Sequence, residues 1–367
     1  MLLSLRGADP FLARTLRALL EQTHEDFCLR LIVDSETDPA WNVVEPFLEE
    51  SNDPRVQVLQ LTQRLSTCGL KNSALIQGTA ELEEDFDVIV QVDADAVPYP
   101  NWLRDLLIPF QDPRVGATGG VRWYAPPDQR CSSGIRYLWG CSAMVQMHQF
   151  GMIWGGSMAF RRELLDHAHL RQRWAKSLVD DLEVSNAVTD AGLEIRYVPV
   201  VLLNQESIEL GDCYRFIRRQ TLSVRLSHPS WSAVSGFAVA AGMASFSNAL
   251  GFFLALAAGD NFTAMVALIS GVSYACGFLF LTRRLDSVVR ECAINQGGDI
   301  EPRRWQHPLV IPGTITLYVA CWISSLFMRR IDWRGITYNV ADDGSISKVS
   351  DTPYATSSPC LSKASVV

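Results

Sequence analysis

The chain has 367 residues, of which 48% are hydrophobic and 20% are charged, and its formal net charge is −8 at pH 7. This negative balance excludes nucleic acid as the main partner, because a phosphate backbone requires a basic surface. The nine cysteines include no CxxC pair, which argues against a zinc site and favours a reducing compartment. The amino terminus has no apolar stretch long enough for a signal peptide, so we expect the globular part in the cytosol.

Along the first 205 residues, strand-like and helix-like patterns alternate. The spacing of apolar residues predicts strands over 2–5, 28–33, 56–61 and 86–92, and helices over 11–22, 41–50 and 70–82. The run FDVIVQV is almost continuously apolar, as in a strand covered on both faces of a parallel sheet. Repeated strand–helix–strand order implies right-handed crossovers. The sequence therefore predicts a doubly wound α/β sheet, followed by less regular elements over 115–124, 135–149, 181–191 and 195–203.

Two long stretches in the last part of the chain contain almost no charged residues. Residues 233–281 contain a single charged side chain, Asp260, and residues 309–328 contain none. Apolar runs of about 20 residues can cross a bilayer as helices. We expect spans at 233–258, 262–281 and 309–328, with two or three true crossings, because arginines flank both sides of the third run. A basic amphipathic helix over 214–226 precedes them and suits a membrane interface.

These patterns divide the chain into three parts. Residues 1–227 are predicted to form a cytosolic α/β domain, and residues 228–340 a membrane region. The Ser- and Thr-rich residues 341–367 are predicted to form a disordered tail.

Aspartates stand where two of the predicted strands end. Asp34 follows the second strand, and Asp93 and Asp95 follow FDVIVQV. Ligands of doubly wound sheets bind beyond the carboxyl ends of the strands. Two carboxylates at alternate positions repel one another unless a cation lies between them, so the pair indicates a divalent metal bound to a nucleotide diphosphate. The alternative is a pair of turn-forming aspartates.

Seven segments in order extend this pattern: LLSLRGADPFLARTLRALLEQ, LIVDSETD, GLKNSALIQG, VQVDADAVPYPNWL, WGGSMAFRRELL, VDDLEV and FIRRQ. Together they resemble the family 2 glycosyltransferases of GT-A fold, in the membrane-bound branch related to ceramide glucosyltransferases. The resemblance implies a GT-A doubly wound mixed sheet (Rossmann-like) followed by C-terminal transmembrane helices. It also implies a nucleotide-sugar donor.

The resemblance further implies roles for residues of the donor site. Asp34 would accept a hydrogen bond from a uracil ring, and Lys71 would approach the diphosphate. Asp95 would be the main ligand of Mn²⁺ or Mg²⁺, and Asp93 would contact the ribose or sugar and share the metal. A turn aspartate at Asp34 and a solvated helix lysine at Lys71 are the structural alternatives.

On the acceptor side, the resemblance makes Asp181 the general base, with Asp180 in place of the family's glutamate. Gly155, Gly156 and Ser157 would form a loop beside the donor sugar and the acceptor. A base is needed because a hydroxyl group is a poor nucleophile until its proton is removed. The alternatives are a helix cap at Asp181 and a plain tight turn at the glycines.

One expected motif, QxxRW, is incomplete. Gln220 is followed by Thr-Leu-Ser-Val, so the arginine and the tryptophan are missing. Arg219 and Gln220 are candidates for contact with the diphosphate, and Arg225 is a further source of the lost charge. The departure affects acceptor handling and processivity, and it leaves the donor site as predicted.

The sequence thus predicts an inverting, metal-dependent transfer of a sugar, expected to be a UDP-hexose, to a lipid acceptor. The reaction would occur at the cytosolic face of a membrane, the inner membrane if the source is bacterial. One alternative is a polysaccharide synthase, which the missing Arg-Trp and the few spans disfavour. Another is an inactive membrane scaffold, for which four retained carboxylates would serve no purpose.

Overall fold

The computed structural model of the chain describes residues 1–80, 82, 86–298, 310–351 and 354. The strands are β1 (Leu2–Leu5), β2 (Leu29–Val33), β3 (Val56–Gln60), β4 (Val88–Val92), β5 (Val115–Tyr124), β6 (Ser157–Arg161), β7 (Glu194–Asn204), β8 (Arg330–Trp333), β9 (Ile336–Val340) and β10 (Ile346–Asp351). The helices are α1 (Leu12–Leu20), α2 (Trp41–Ser51), α3 (Leu70–Gly78), α4 (Trp102–Leu107), α5 (Cys131–Phe150), α6 (Leu164–His167), α7 (Leu170–Trp174), α8 (Asp181–Asp190), α9 (Leu210–Ser227), α10 (Trp231–Ala257), α11 (Asn261–Asn295) and α12 (Val310–Leu326).

The main sheet has seven strands in the order β3-β2-β1-β4-β6-β5-β7. The strands β3, β2, β1 and β4 are parallel, and β6 is antiparallel to both β4 and β5. The strand order reverses between β1 and β4, because β2 and β3 lie on one side of β1 and β4 lies on the other. This topology confirms the predicted doubly wound, mixed sheet of GT-A type.

Burial explains why these segments fold as they do. Four of the five residues of β2 and four of the five residues of β4 are buried, as expected for strands covered by helices on both faces. Helix α1 buries Leu12, Leu16 and Leu19, which recur at helical spacing and form one apolar face. Both patterns are visible in the sequence, and the observed elements lie close to the predicted ones.

The chain divides into two compact units. Unit 1 contains the described residues of Met1–Gly119, Trp154–Arg196 and the segment from Arg329 onward, and unit 2 contains Gly120–Ile153 and the described part of Tyr197–Met328. Unit 1 therefore combines most of the main sheet with a segment that follows the apolar helices in sequence.

That last segment of unit 1 forms a three-stranded antiparallel sheet in the order β10-β9-β8. Its buried face carries Ile336, Tyr338 and Val340 at alternate positions of β9. The Tyr338 hydroxyl accepts a hydrogen bond from the Leu70 N–H at the start of α3, at 3.0 Å. The small sheet is thus attached to the helix that carries Lys71.

The small sheet differs from the disordered tail predicted for residues 341–367. Residues 346–351 form β10, which pairs with β9, and the Lys348 N–H donates to Ser66 O at 2.7 Å. The polar composition favoured disorder, whereas the strand is stabilised by pairing with β9 and by the buried Ile346. Strands β8 and β9 likewise belong to unit 1, although residues 228–340 were predicted as a membrane region. Residues 352, 353 and 355–367 of the predicted tail lie outside the described residues.

Unit 2 contains the apolar helices. Among the described residues, α10 and α11 are long and apolar enough to cross a membrane by length and composition, and α12, with 17 residues, is shorter. Helix α12 packs against α5 and α9, where Ile217 and Cys321 are buried in one cluster. The Arg225 guanidinium donates to Leu326 O at 2.6 Å, at the carboxyl end of α12. Helix α9, which was predicted to lie in the membrane interface, thus packs along one side of α12.

Candidate active site

Three aspartates lie beyond the carboxyl ends of β2 and β4. The Asp34 N–H donates to Leu5 O at the end of β1, at 3.0 Å, and Asp93 and Asp95 directly follow β4. These strand ends flank the point at which the strand order reverses, where open α/β sheets bind their ligands. The structure therefore places these three aspartates at the sheet edge that the sequence indicated.

Asp34 is surrounded by arginines. Its side chain is buried, and one carboxylate oxygen pairs with Arg6 while the other pairs with Arg64. Arg64 extends further to Asp351 at the end of β10. Two guanidinium groups balance the buried carboxylate, which would otherwise be costly to remove from water. A nucleotide base at this carboxylate would share its oxygens with these arginines, since each oxygen can accept more than one hydrogen bond.

A second charge cluster is centred on Lys71 of α3. Its ammonium group lies 2.9 Å from Asp93 Oδ1 and 3.1 Å from Asp180 Oδ2. Burial alone would lower the pKa of Lys71, but the charges of Asp180, Asp93 and Asp181 outweigh burial and raise it. Lys71 therefore stays protonated and neutralises carboxylates from two different segments of the chain.

Asp181 begins helix α8 and has a different environment from its neighbour Asp180. Its carboxylate accepts the Gly155 N–H at 3.0 Å and the Leu182 N–H at 2.8 Å. Burial and the charge of Asp180 raise the pKa of Asp181 to about 7, against the opposing effect of Lys71 and of the two N–H donors. The site thus contains one carboxyl group that exchanges its proton near neutral pH.

The loop before β6 approaches these carboxylates closely. A Cβ atom added to Gly155 would lie 2.8 Å from Asp180 Oδ2, and one added to Gly156 would lie 2.1 Å from the Trp154 ring and 2.6 Å from Asp93 Oδ2. Only glycine allows backbone this near to the acidic cluster. Ser157 is fully buried instead, and its hydroxyl accepts a hydrogen bond from Trp102 Nε1 at 2.9 Å. The two glycines of the loop thus lie next to the acidic cluster, whereas Ser157 is part of the core.

The charge of Asp95 acts on another cation, Arg334. Burial lowers the pKa of Arg334, but the charges of Asp9 and Asp95 outweigh this effect and raise it. Among the described residues, no three His, Cys, Asp or Glu side chains are grouped as a metal site. Asp93 and Asp95 nevertheless offer two carboxylates, and Mg²⁺ in nucleotide sites is commonly held by one or two carboxylates together with substrate phosphates. The pair fits a divalent cation that binds together with a diphosphate.

The residues predicted near the diphosphate from the incomplete QxxRW motif belong to unit 2. Arg219 and Gln220 lie on α9, where the Arg219 guanidinium is 5.9 Å from the centre of the Phe216 ring. Arg225, the further candidate, hydrogen-bonds the carboxyl end of α12. The diphosphate contact of Arg219 and Gln220 stays a prediction. Arg225 instead donates hydrogen bonds to backbone carbonyl groups at and after the end of α12.

The sheet topology and the strand-end aspartates define a glycosyltransferase of GT-A fold that uses a nucleotide sugar. The chain belongs to glycosyl transferase family 21, the ceramide glucosyltransferase family, whose sequence profile matches residues 1–346. This match confirms the relationship to ceramide glucosyltransferases that the seven segments indicated. The comparison with curated protein sequences gives no match.

Two solved structures are similar to parts of this chain. The mannosyltransferase PcManGT from Pyrobaculum calidifontis, solved in complex with GDP-Man and Mn²⁺, has a TM-score of 0.54 at 19% sequence identity, over 82% of this chain and 87% of that one. A glucosyl-3-phosphoglycerate synthase from Mycobacterium tuberculosis, solved in complex with phosphoglyceric acid, has a TM-score of 0.41 at 15% identity, over 61% of this chain and 77% of that one. At 19% identity, the likeness to the mannosyltransferase establishes the fold.

Sequence reasoning missed the basic residues around the donor edge. Arg6 directly follows β1, Arg64 lies in the loop after β3, and Arg334 lies in the turn between β8 and β9. Arg6 lies within one of the seven quoted segments, immediately after β1, and this position was a usable signal. The other two meet Asp34 and Asp9 through contacts between residues 30 and 325 positions apart, which no local pattern encodes.

Replacing Gly156 by alanine tests the close approach of the loop. We expect Gly156→Ala to displace the loop from Asp93 and to lower transfer strongly, because the new methyl group would overlap the Trp154 ring. The measurement is the rate of nucleotide release, together with the melting temperature of the purified chain. Gly236→Ala is the control, since a Cβ at Gly236 has no atom within 4 Å. Equal activity in the two variants would contradict the close approach.

The raised pKa of Asp181 predicts a pH-dependent stability. The folded value of about 7 exceeds the value of about 3.9 expected in the unfolded chain, so the folded state binds the proton more tightly. The stabilisation is fully present below about pH 4 and is lost as the pH rises through about 7. We therefore expect Asp181→Asn, which is neutral at every pH, to melt at a higher temperature than the native chain at pH 8.5.

At pH 5.5 the difference in melting temperature should shrink, because the native Asp181 is then protonated in the folded state. The exposed Asp26 provides a matched control, and Asp26→Asn should show no such pH dependence. A destabilised Asp181→Asn variant at pH 8.5 would contradict the raised pKa.

Proposed function

We propose that this enzyme transfers a hexose from a UDP-activated donor to the hydroxyl group of a lipid acceptor, with inversion at the anomeric carbon. The observation that carries the proposal is the Asp181 carboxyl group, whose pKa of about 7 suits proton transfer at neutral pH. The Asp181 carboxylate accepts a hydrogen bond from the N–H of Gly155, which belongs to the loop that closely approaches the acidic cluster. A base at this loop would act on the acceptor hydroxyl.

The two adjacent aspartates support a division of roles. Asp180 Oδ2 pairs with the Lys71 ammonium group, so its charge is already balanced. Asp181 accepts backbone N–H groups, which orient its carboxylate and leave it able to accept a proton. Of the two, Asp181 is therefore the better base, and Asp180 serves to hold Lys71 and the loop.

The reaction that these residues support is a single displacement. Asp181 takes the proton of the acceptor hydroxyl as the hydroxyl oxygen forms a bond to C1 of the sugar. The bond from C1 to the donor diphosphate breaks, and the electron pair leaves with the nucleoside diphosphate. Attack from the side opposite the leaving group inverts C1, so an α-linked donor gives a β-glycoside.

The donor would bind along the edge formed by β1, β2 and β4. Asp34 would accept from the base, and the Lys71 ammonium group would turn from Asp93 towards the diphosphate. The GDP-Man complex of the mannosyltransferase supports a nucleotide-sugar donor for this fold. The choice of uracil rests on the match of Asp34 to the first aspartate of the related enzymes.

Asp93 and Asp95 would hold Mn²⁺ or Mg²⁺ together with the donor diphosphate. When bound, the cation neutralises the charge that develops on the departing nucleoside diphosphate. The presence of Mn²⁺ in the mannosyltransferase complex supports this assignment.

A lipid acceptor agrees with the two apolar helices. Helices α10 and α11 expose large apolar side chains, including Phe237, Phe246 and Phe262. The described residues that precede Tyr197 and those that follow Met328 both contribute to unit 1, so the chain between them would leave and re-enter the same side of a membrane. An even number of crossings follows, and α10 with α11 supplies two. Helix α12, which packs on α5 and α9, would then lie at the interface without crossing.

Arginines in the last part of α11 favour the cytosolic face for unit 1. Arg283, Arg284 and Arg290 lie in the last part of α11, and Lys and Arg flanking a span are enriched on the cytosolic side. The acceptor would be a lipid whose hydroxyl group is exposed at that face.

A donor screen with a base variant tests the proposal. The detergent-solubilised full chain is supplied with UDP-hexoses, GDP-mannose and mixed hydroxyl lipids, and nucleotide release is followed with and without Mn²⁺. We expect release from a UDP-hexose, and we expect Asp181→Asn to lower transfer by about two to four powers of ten with UDP affinity unchanged. In the native enzyme, transfer should fall as the pH drops below about 7, because the base becomes protonated.

Asp190→Asn, at the exposed end of the same helix, is the matched control and should transfer at the native rate. Near-native transfer by Asp181→Asn would exclude it as the base. A native chain that releases nucleotide from none of the donors would overturn the proposed reaction.

Epitope insertions test the two-crossing topology. Tags placed after Glu50 and after Asp343 should be accessible from the same, cytosolic side of sealed vesicles, and a tag after Gly259 should be accessible from the other side. All three positions are exposed in turns or at helix ends. Permeabilised vesicles serve as the control, since every tag is then accessible. Opposite sides for Glu50 and Asp343 would show three crossings.

A further inference from the structure

We propose that Arg334, in the turn between β8 and β9, is a donor-binding residue whose guanidinium group holds the diphosphate of the nucleotide sugar. The inference rests on the proposed function, because it assumes a nucleoside diphosphate at the carboxyl ends of β1 and β4. It adds a residue from beyond the apolar helices to the donor site.

The backbone at this turn is unusual for arginine. Arg334 and Gly335 are the two residues between β8 and β9, and both have positive φ values, 47° and 79°. Two-residue hairpins of this kind strongly prefer Asn-Gly, because few other side chains tolerate the left-handed region. An arginine in such a position costs stability that asparagine would not. The side chain therefore points to a role outside the turn itself.

The turn is fixed to the end of β1 by reciprocal hydrogen bonds. Arg6 Nε donates to Arg334 O at 2.9 Å, and the Arg334 guanidinium donates to Arg6 O at 2.8 Å. Arg6 in turn pairs with Asp34, the predicted base-binding residue. Arg334 is thus held beside the predicted nucleoside position.

The charge environment indicates what Arg334 would bind. The guanidinium pairs with Asp9 at 3.1 Å and lies in the field of Asp95, yet its side chain remains 39% exposed. Asp9 and the three strand-end aspartates would repel a diphosphate, so the site requires cations that can turn towards it. Arg6 and Arg64 both bind Asp34, and Lys71, which would turn from Asp93 to the diphosphate, also pairs with Asp180.

Arg334 is a partly exposed cation on which the charge of Asp95 acts, and Asp95 lies where the diphosphate is expected. A guanidinium fork matches phosphate oxygens with two parallel hydrogen bonds, which an ammonium group cannot do. This contact would replace the positive charge that is lost because the arginine of the QxxRW motif is missing.

Binding measurements on the full detergent-solubilised chain test the proposal. The probes are UDP, GDP and the matching nucleosides. We expect Arg334→Asn to weaken the binding of the nucleoside diphosphate by about tenfold to one-hundredfold, the usual effect of losing a charge-assisted hydrogen bond. Nucleoside binding should stay within about threefold, because the lost contact is to phosphate. Arg334→Lys should be intermediate, since it keeps the charge and loses the fork.

Arg334→Asn also separates binding from folding, because asparagine is the residue that the turn prefers. Its melting temperature should stay near that of the native chain. A second variant, Asp9→Asn, removes a negative charge and keeps an oxygen for Arg334, so it should tighten diphosphate binding. Arg330→Gln, on the same small sheet and exposed, is the control and should bind as the native chain does.

Three outcomes would overturn the inference. They are unchanged diphosphate binding in Arg334→Asn, an equal loss for nucleoside and diphosphate, and weaker diphosphate binding in Asp9→Asn. A native chain that binds neither UDP nor GDP would instead overturn the proposed donor, and the two failures are therefore distinguishable.

Discussion

One partly buried ammonium group holds the acidic site together. Lys71 lies between Asp93 after β4 and Asp180 before α8, and its ammonium group is 3.5 Å from Gly155 O. Without this cation, the carboxylates of Asp93, Asp180 and Asp181 would repel one another in a poorly hydrated site. This repulsion would strongly destabilise the folded state. Asn72, the next residue of α3, donates to Ser177 O at 2.9 Å and secures the segment before α8. Two consecutive side chains of one short helix thus position both the predicted donor-side and acceptor-side acids.

This constraint also explains why neighbouring aspartates differ. Asp180 pairs directly with Lys71, whereas burial and the neighbouring charge of Asp180 raise the pKa of Asp181. The same lysine contacts the loop at Gly155 O and lowers the pKa of Asp181, an effect that burial and the charge of Asp180 outweigh. The glycines at 155 and 156 are needed because the loop must contact the acids without side chains of its own.

The segment after the apolar helices completes unit 1. Tyr338 binds the start of α3, Asp351 pairs with Arg64, and Arg334 bonds to Arg6. Each of these contacts supports a residue of the donor edge. A chain ending at the last apolar helix would consequently lack groups that the edge depends on, although the sequence of the first 227 residues contains all seven recognisable segments.

The local patterns in the sequence were sufficient for the sheet and for the acids. The apolar run before Asp93 predicted β4, and the position of aspartates after β2 and β4 predicted the ligand edge. The partners of those acids could not be predicted, because Arg64 reaches Asp351 across 287 residues and Arg334 reaches Asp9 across 325. Strand β10 was missed because its Ser, Lys and Asp residues are typical of a disordered tail. The strand forms because β9 pairs with it, which the local sequence does not indicate. The third apolar run predicted a span, whereas its helix is 17 residues long.

The stereochemistry of the product tests the central claim most directly. In a single displacement with Asp181 as the base, no carboxylate bonds to the sugar, and C1 is inverted once. The configuration at C1 of the glycolipid formed from an α-linked UDP-hexose can be read from the coupling constant between H1 and H2 in the NMR spectrum. The account predicts a β-glycoside. An α-glycoside would contradict it, because retention requires a second displacement or a different arrangement of the reacting groups.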